Sequence, residues 1–169
     1  MAVTLEMYLE HQIVRGDLRS EEGQRPIDLL NGVNGGIIQL SNAWSASLHA
    51  EAPPAWLDTV RIKRNQILVM IPRTSVLLAP RIVRLGYVEK RPLHIQAAIG
   101  PYVVTGSFYV TNHEHVPLTA LEQDVTGRFF VPLTDACLTS QHSTRWKVQA
   151  DAMFVNRGAV SYTYASATT

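Results

Sequence analysis

The chain repeats itself, and that repetition constrains its fold more than any single motif. Ile13-Val14-Arg15-Gly16-Asp17-Leu18 returns as Val103-Val104-Thr105-Gly106-Ser107-Phe108, and Pro26-Ile27-Asp28-Leu29-Leu30 returns as Pro117-Leu118-Thr119-Ala120-Leu121. Ile37-Ile38-Gln39-Leu40-Ser41-Asn42-Ala43 matches Phe130-Val131-Pro132-Leu133-Thr134-Asp135-Ala136, and Ile62-Lys63-Arg64-Asn65-Gln66-Ile67 matches Val155-Asn156-Arg157-Gly158-Ala159-Val160. The blocks keep their order, and their offset grows by only a residue or two at each loop. Self-similarity of this kind marks a duplicated architectural unit. The positions that recur are apolar scaffold positions. No reactive constellation occurs in both copies.

The 169 residues therefore divide into two units of roughly 70 residues, each small enough to bury only about 60% of its unfolded surface. We place the first repeat at 1–72, a connector at 73–92, the second repeat at 93–165 and a fraying polar tail at 166–169. Within the first, Val3, Leu5, Met7 and Leu9 alternate with Thr4, Glu6, Tyr8 and Glu10, the period of a half-buried strand. Gly16 interrupts the next strand, where glycine marks a bulge or close backbone approach, and Gly106 is its twin. Pro26 to Gly32 carries proline near its start and Asn-Gly at its stop, the signature of a short helix. A hairpin around Lys63-Arg64-Asn65-Gln66 closes the unit. About five short strands, a glycine bend and a helical turn per unit predict a mainly β protein, built as two tandem five-stranded barrels.

Gly100-Pro101-Tyr102-Val103-Val104-Thr105-Gly106, Val116-Pro117-Leu118 and Phe130 to Ala136 together resemble an uncharacterised family of small bacterial β-domains. Its members carry a Phe-Ile-Pro-Leu-Thr-Asp-Ala-like block and an apolar-Val-Asn-basic hairpin, to which Phe154-Val155-Asn156-Arg157 is similar. The first copy departs from that pattern at Gln39, Asn42 and Lys63. A looser resemblance is to Sm-like and SH3-like barrels, in which a glycine-bent second strand and a closing strand ending near proline recur. Ile67-Leu68-Val69-Met70-Ile71-Pro72 looks like such an ending. Neither resemblance carries an activity to this chain.

Several chemistries can be weighed residue by residue. His113 and His115 lie two apart, so on a strand both imidazoles would face one metal, but no third ligand accompanies them. A metal-dependent enzyme at that pair is the third-ranked reading, and no cofactor is expected. Cys137 is the only cysteine, follows an apolar strand and aligns with Trp44, which favours packing over nucleophilic use. Thr134-Asp135, matching Ser41-Asn42, is of the type that fixes a backbone bend. Arg73, Arg81, Arg84, Lys90 and Arg91, with Arg61, Lys63 and Arg64 in the first hairpin, form a basic set that would suit a phosphate backbone or another acidic partner. The formal net charge of +1 gives no global field towards nucleic acid or membranes. A Gly-rich phosphate loop and a nucleophile elbow are both missing from the sequence.

Charged residues make up 17% of the chain, below the usual quarter, which suggests that part of the surface is covered by a partner. Trp56 and Trp146 are candidate interface anchors. Strand edges left by such small units, expected at Ile67–Ile71 and Ala159–Tyr164, are sites where another strand can add. The leading expectation is thus a non-enzymatic interaction or assembly module, with a protein partner or further copies of itself. An Sm-like nucleic-acid binder is the alternative. Met1–Glu10 lacks the pattern of a signal peptide, and no apolar run approaches the roughly 20 residues that span a bilayer, so a cytoplasmic protein without membrane insertion is expected.

Overall fold

The computed structural model describes residues 2–21, 24–32, 36–48, 53–73, 90–111, 128–142 and 146–166. The chain separates into two compact units, Met1–Pro80 and Arg81–Thr169. The first contains β1 (Ala2–Tyr8), β2 (Gln12–Arg19), α1 (Pro26–Gly32), β3 (Ile37–Ser47), β4 (Ala55–Lys63), a 3-10 turn over Arg64–Gln66 and β5 (Val69–Pro72). The second contains β6 (Lys90–Ile99), β7 (Tyr102–Thr111), β8 (Phe130–Ser140), β9 (Lys147–Asn156), a 3-10 turn over Arg157–Ala159 and β10 (Val160–Ser166). The second expected helix, Pro117–Leu121, lies outside the described residues.

Within the first unit the strands lie in the order β5-β1-β2-β3-β4, and within the second in the order β10-β6-β7-β8-β9. Ladder by ladder, these are the same connections, and those between neighbours in each unit are antiparallel. Small hydrogen bonds recur as well. Leu48 N–H donates to the His11 carbonyl at 3.0 Å, and Gln141 N–H to that of Pro101 at 2.9 Å. The Arg64 and Arg157 amides, which open the two 3-10 turns, donate to the Gly36 and Phe129 carbonyls at 2.7 and 3.2 Å.

Closure into barrels is not seen among the described residues. No ladder joins β5 to β4, or β10 to β9, among the described residues, so each unit is a bent antiparallel sheet with a first and a last strand. What bends it is visible at the glycines. The β2–β3 register shifts between Arg15 and Asp17, and the β7–β8 register between Thr105 and Ser107. Opposite those shifts Asn42 and Asp135 take left-handed backbone angles, φ 46 and 49. Asn and Asp tolerate that region better than other side chains. The extra residue in the third strand presses the second strand inward, so a Cβ on Gly16 would lie 3.0 Å from the Cβ atoms of Leu40 and Ala43. On Gly106 it would lie 3.0 Å from the Thr134 carbonyl oxygen. A bulge of this kind sharpens local twist and curls a sheet without needing closure.

Apolar side chains of the strands and α1 form the cores. Leu5, Met7, Leu30, Ile38, Leu40 and Ala43 are fully buried in the first unit, as are Ile99, Val104, Phe130, Leu133 and Leu138 in the second. In α1, Arg25 brackets the first turn by ion-pairing with Asp28 (Nε to Oδ2, 2.6 Å), while Pro26 and Leu30 turn inward. One expectation needs correction: β1 is not half-buried, because Glu6 and Tyr8 on its polar face are buried along with Leu5 and Met7. In the stretch Ile67–Ile71, expected as a strand edge, the side chains of Ile67, Val69, Met70 and Ile71 have no exposed surface.

Candidate interaction surface

Within its own unit each end strand is bonded on one side only among the described residues, and two of these end strands are β4, bonded to β3, and β10, bonded to β6. A lone side leaves backbone N–H and C=O groups facing outward, a template for another strand. The side chains along these two strands are also unusually bare. Trp56 is 76% exposed and Leu57 38% on β4, and Tyr162 is 54% and Tyr164 65% on β10. Of the six large apolar side chains left exposed among the described residues, these are four, so the apolar surface concentrates on the open strands rather than scattering.

Local sequence explains the exposure. In β4, Arg61 and Lys63 share a face and both stand in solvent, while Ile62 between them turns to the core. Trp56 sits directly opposite Trp44 in the β3–β4 ladder. The Asn42 bulge opens a shallow depression beside them, about 290 Å³, lined by Asn42, Ala43, Trp56, Leu57 and Asp58. The equivalent bulge at Asp135 opens one of about 300 Å³, lined by Asp135, Ala136, Cys137, Gln149, Ala150 and Asp151. The two depressions occupy equivalent places, and both carry a carboxylate and an amide; Trp56 and Leu57 line the first, where Cys137, Gln149 and Ala150 line the second. Both are open and shallow, unlike an enclosed small-molecule pocket.

The basic set divides. Arg61, Lys63, Lys90 and Arg91 are exposed, and Arg64 is half-buried, its Nη1 donating to the Asn31 carbonyl at 3.3 Å. Arg81 and Arg84 lie outside the described residues. Arg73 is committed elsewhere. Its guanidinium grips Glu6 with two contacts, Nη2 to Oε1 at 2.5 Å and Nε to Oε2 at 3.2 Å, and the Tyr8 hydroxyl also donates to Oε1. Burial alone would raise the Glu6 pKa, but the bonds from Arg73 and Tyr8 and the nearby guanidinium charges hold it below 4.5. Burial and the adjacent carboxylate push the Tyr8 hydroxyl strongly upward. Next to this trio, Asp17 accepts from Thr4 Oγ1 at 2.8 Å and from Asn42 Nδ2 at 3.2 Å, fastening the bulge to β1 and β2. Nothing local in the sequence marks this network: alternation along β1 assigns Glu6 to solvent and Arg73 falls among the connector charges, and only the β1–β5 pairing brings them together.

Trp146 is half-buried and tilts against Tyr102, with ring centroids 5.8 Å apart, whereas Trp56 projects freely; the two candidate anchors are therefore unlike. Cys137 is half-buried beside the second depression. His113 and His115 lie outside the described residues. Among the described residues, no three His, Cys, Asp or Glu side chains are grouped to hold a metal ion, and no helix is long and apolar enough to cross a membrane. No protein-family model matches this chain, and neither does any curated protein or solved structure.

Proposed function

We propose that this chain is a non-enzymatic interaction or assembly module, made by duplicating a small Sm-like or SH3-like β-unit and acting through its open strand edges. The observation that carries this reading is the concentration of exposed apolar side chains on β4 and β10, each an end strand of its unit. Strand addition draws its affinity from backbone hydrogen bonds and its specificity from flanking side chains. Such a surface tolerates divergence of polar residues between copies, which is the pattern of the two halves. The 3-10 turn before the last strand of each unit, and the glycine-bulge pair, support the likeness to small barrels, here opened rather than closed.

Light scattering of the purified protein, together with cross-linking in native lysate, tests the proposal. Self-association or capture of a defined partner is the expected outcome, and both should weaken when Trp56 and Leu57 are made polar. A monomer that captures no protein would overturn it.

A second reading, an Sm-like nucleic-acid binder, draws support from Arg61 and Lys63 standing exposed on one face of an open strand that also bears Trp56. Basic and aromatic groups interleaved in this way suit single-stranded nucleic acid. Oligonucleotide binding that falls steeply with salt would favour it.

A further inference from the structure

We infer that one face of the second unit's sheet is a binding platform for a neutral oligosaccharide. This goes beyond the protein-contact reading, because it uses side chains standing on a sheet face rather than backbone groups along an edge. The face follows from register. On β6, Leu93, Ile95 and Ala97 are buried while His94 and Gln96 are exposed, so the even-numbered residues look outward. Directly opposed residues share a face. Gln96 therefore has Tyr164 on one side and Thr105 on the other, and the row runs on through Cys137 to Gln149. Tyr162 stands beside Ala98, the small and covered residue next in that series, and Tyr109 stands beside Pro92 towards the other end. These three tyrosines are all the large apolar side chains that the second unit leaves exposed among its described residues, and one face holds them.

Charge and span then select the ligand. The equivalent row of the first unit runs Ile71, Glu6, Arg15, Trp44, Trp56, with a carboxylate and a guanidinium inside it. In the second unit those two places hold the amide of Gln96 and the hydroxyl of Thr105. Among the described residues no acid stands between the tyrosines; Asp135 and Asp151 lie beyond, at the β8 bulge and on β9. Lys90 and Lys147 begin β6 and β9, at opposite limits of the face, and Arg91 falls in the other series. A phosphate backbone would find no row of cations here, and a basic peptide no acids. An apolar partner would strip water from Gln96, Thr105, Ser107 and Gln149 without replacing their hydrogen bonds. A sugar meets both demands, because its C–H faces lie on aromatic rings while its hydroxyls exchange bonds with amide, hydroxyl and imidazole groups. Tyr162 and Tyr164 are about 7 Å apart along β10, and Tyr109 lies two strands over and roughly 16–22 Å away. His94, Gln96, Thr105 and Ser107 fill the interval. That span suits several linked rings lying across an open surface, not one ring in an enclosed pocket.

Titration calorimetry with neutral hexasaccharides of glucose, mannose, galactose or N-acetylglucosamine tests this, with heparin fragments and single-stranded DNA as charged controls. At least one neutral hexasaccharide should bind saturably, with an affinity that salt does not change. The corresponding disaccharide should bind more weakly. Tyr164→Ala and Tyr109→Ala should each weaken hexasaccharide binding by roughly tenfold, the scale of losing an aromatic anchor. Gln96→Ala should weaken it too, and Trp56→Ser, in the first unit, should leave it unchanged. Urea melts that match the wild type show that the tyrosine variants are folded. Binding confined to the charged controls, or to no sugar at all, would overturn the proposal. So would sugar binding that survives both tyrosine substitutions. Protein capture, which tests the interaction-module reading, is scored separately, so that either can fail alone.

Discussion

β5 and β10 occupy the same place in the strand order of their units, follow the same kind of turn, and yet meet opposite surroundings. Val69-Met70-Ile71 has no exposed surface, while Tyr162 and Tyr164 stand more than half in solvent. The reverse holds one strand earlier: where β4 exposes Arg61 and Lys63, the matching positions of β9 carry Phe154 and Asn156, both buried. The strand order is the same in the two units and the surface is not. Scaffold contacts such as the glycine against the bulge are local and depend on shape, and both units have them. Edge chemistry differs between the units.

The sharpest way to probe the equivalence of the two scaffolds is to cut each at its centre. Leu40 pairs with Val60 and Leu133 with Met153, and both leucines are fully buried. Leu40→Ala and Leu133→Ala should each cost about 2–5 kcal/mol in urea melts. A loss near zero at either would show that the two cores are not equivalent.

Gly16 and Gly106 come next. A methyl group at either position meets atoms at 3.0 Å, including a backbone carbonyl that cannot step aside. Gly16→Ala and Gly106→Ala should each destabilise by about 1–3 kcal/mol through overpacking, again measured by urea melts. If only one did, the bulges would differ in rigidity despite their matching φ angles.

These scaffold features were legible in the sequence because they are local. The glycine twins, the Ser41-Asn42 and Thr134-Asp135 bends and the buried leucines all lie inside the repeated blocks, where periodicity and turn chemistry carry the signal. Barrel closure was not legible, because it depends on whether the first and last strands of a unit meet, which no local pattern encodes. The Glu6–Arg73 pair was missed for a similar reason: the two residues are far apart in sequence, and alternation along β1 assigned Glu6 to solvent. The burial of Ile67, Val69, Met70 and Ile71 is legible in their near-continuous apolar run, since strands buried on both faces read that way.

The Glu6 network separates the units by their response to acid. The β1 and β6 registers, which pair Leu5 with Gly16 and Ile95 with Gly106, set Glu6 opposite in role to Gln96, and Tyr8 to Ala98. Only the first unit therefore holds a buried carboxylate at that place. Because its folded pKa is lowered, its stabilisation is complete above the ordinary value of 4.5 and disappears as pH falls through the lowered one. Acid titration should loosen the first unit before the second, as followed by hydrogen exchange at β1 and β6. Glu6→Gln should remove the difference. At neutral pH, Arg73→Met leaves the Glu6 charge buried without the two hydrogen bonds from the guanidinium and should cost about 1–3 kcal/mol.

The smallest effect is expected where exposure is greatest, and it separates surface that serves stability from surface that serves contact. Trp56 is bare, whereas Trp146, the other candidate anchor, packs its ring against the fully buried Tyr102. Trp56→Ser should change the unfolding free energy by no more than about 0.5 kcal/mol, the range of ordinary surface substitutions. Trp146→Ser should cost more than that, because it strips a tilted aromatic contact worth about 0.5–1.5 kcal/mol beyond its area. Measured at a concentration where the protein is monomeric, the two tryptophans then rank opposite to their exposure. If Trp56→Ser proved as costly as Trp146→Ser, Trp56 would be part of the fold of the first unit, and the open β4 surface would lose its strongest claim to a binding role.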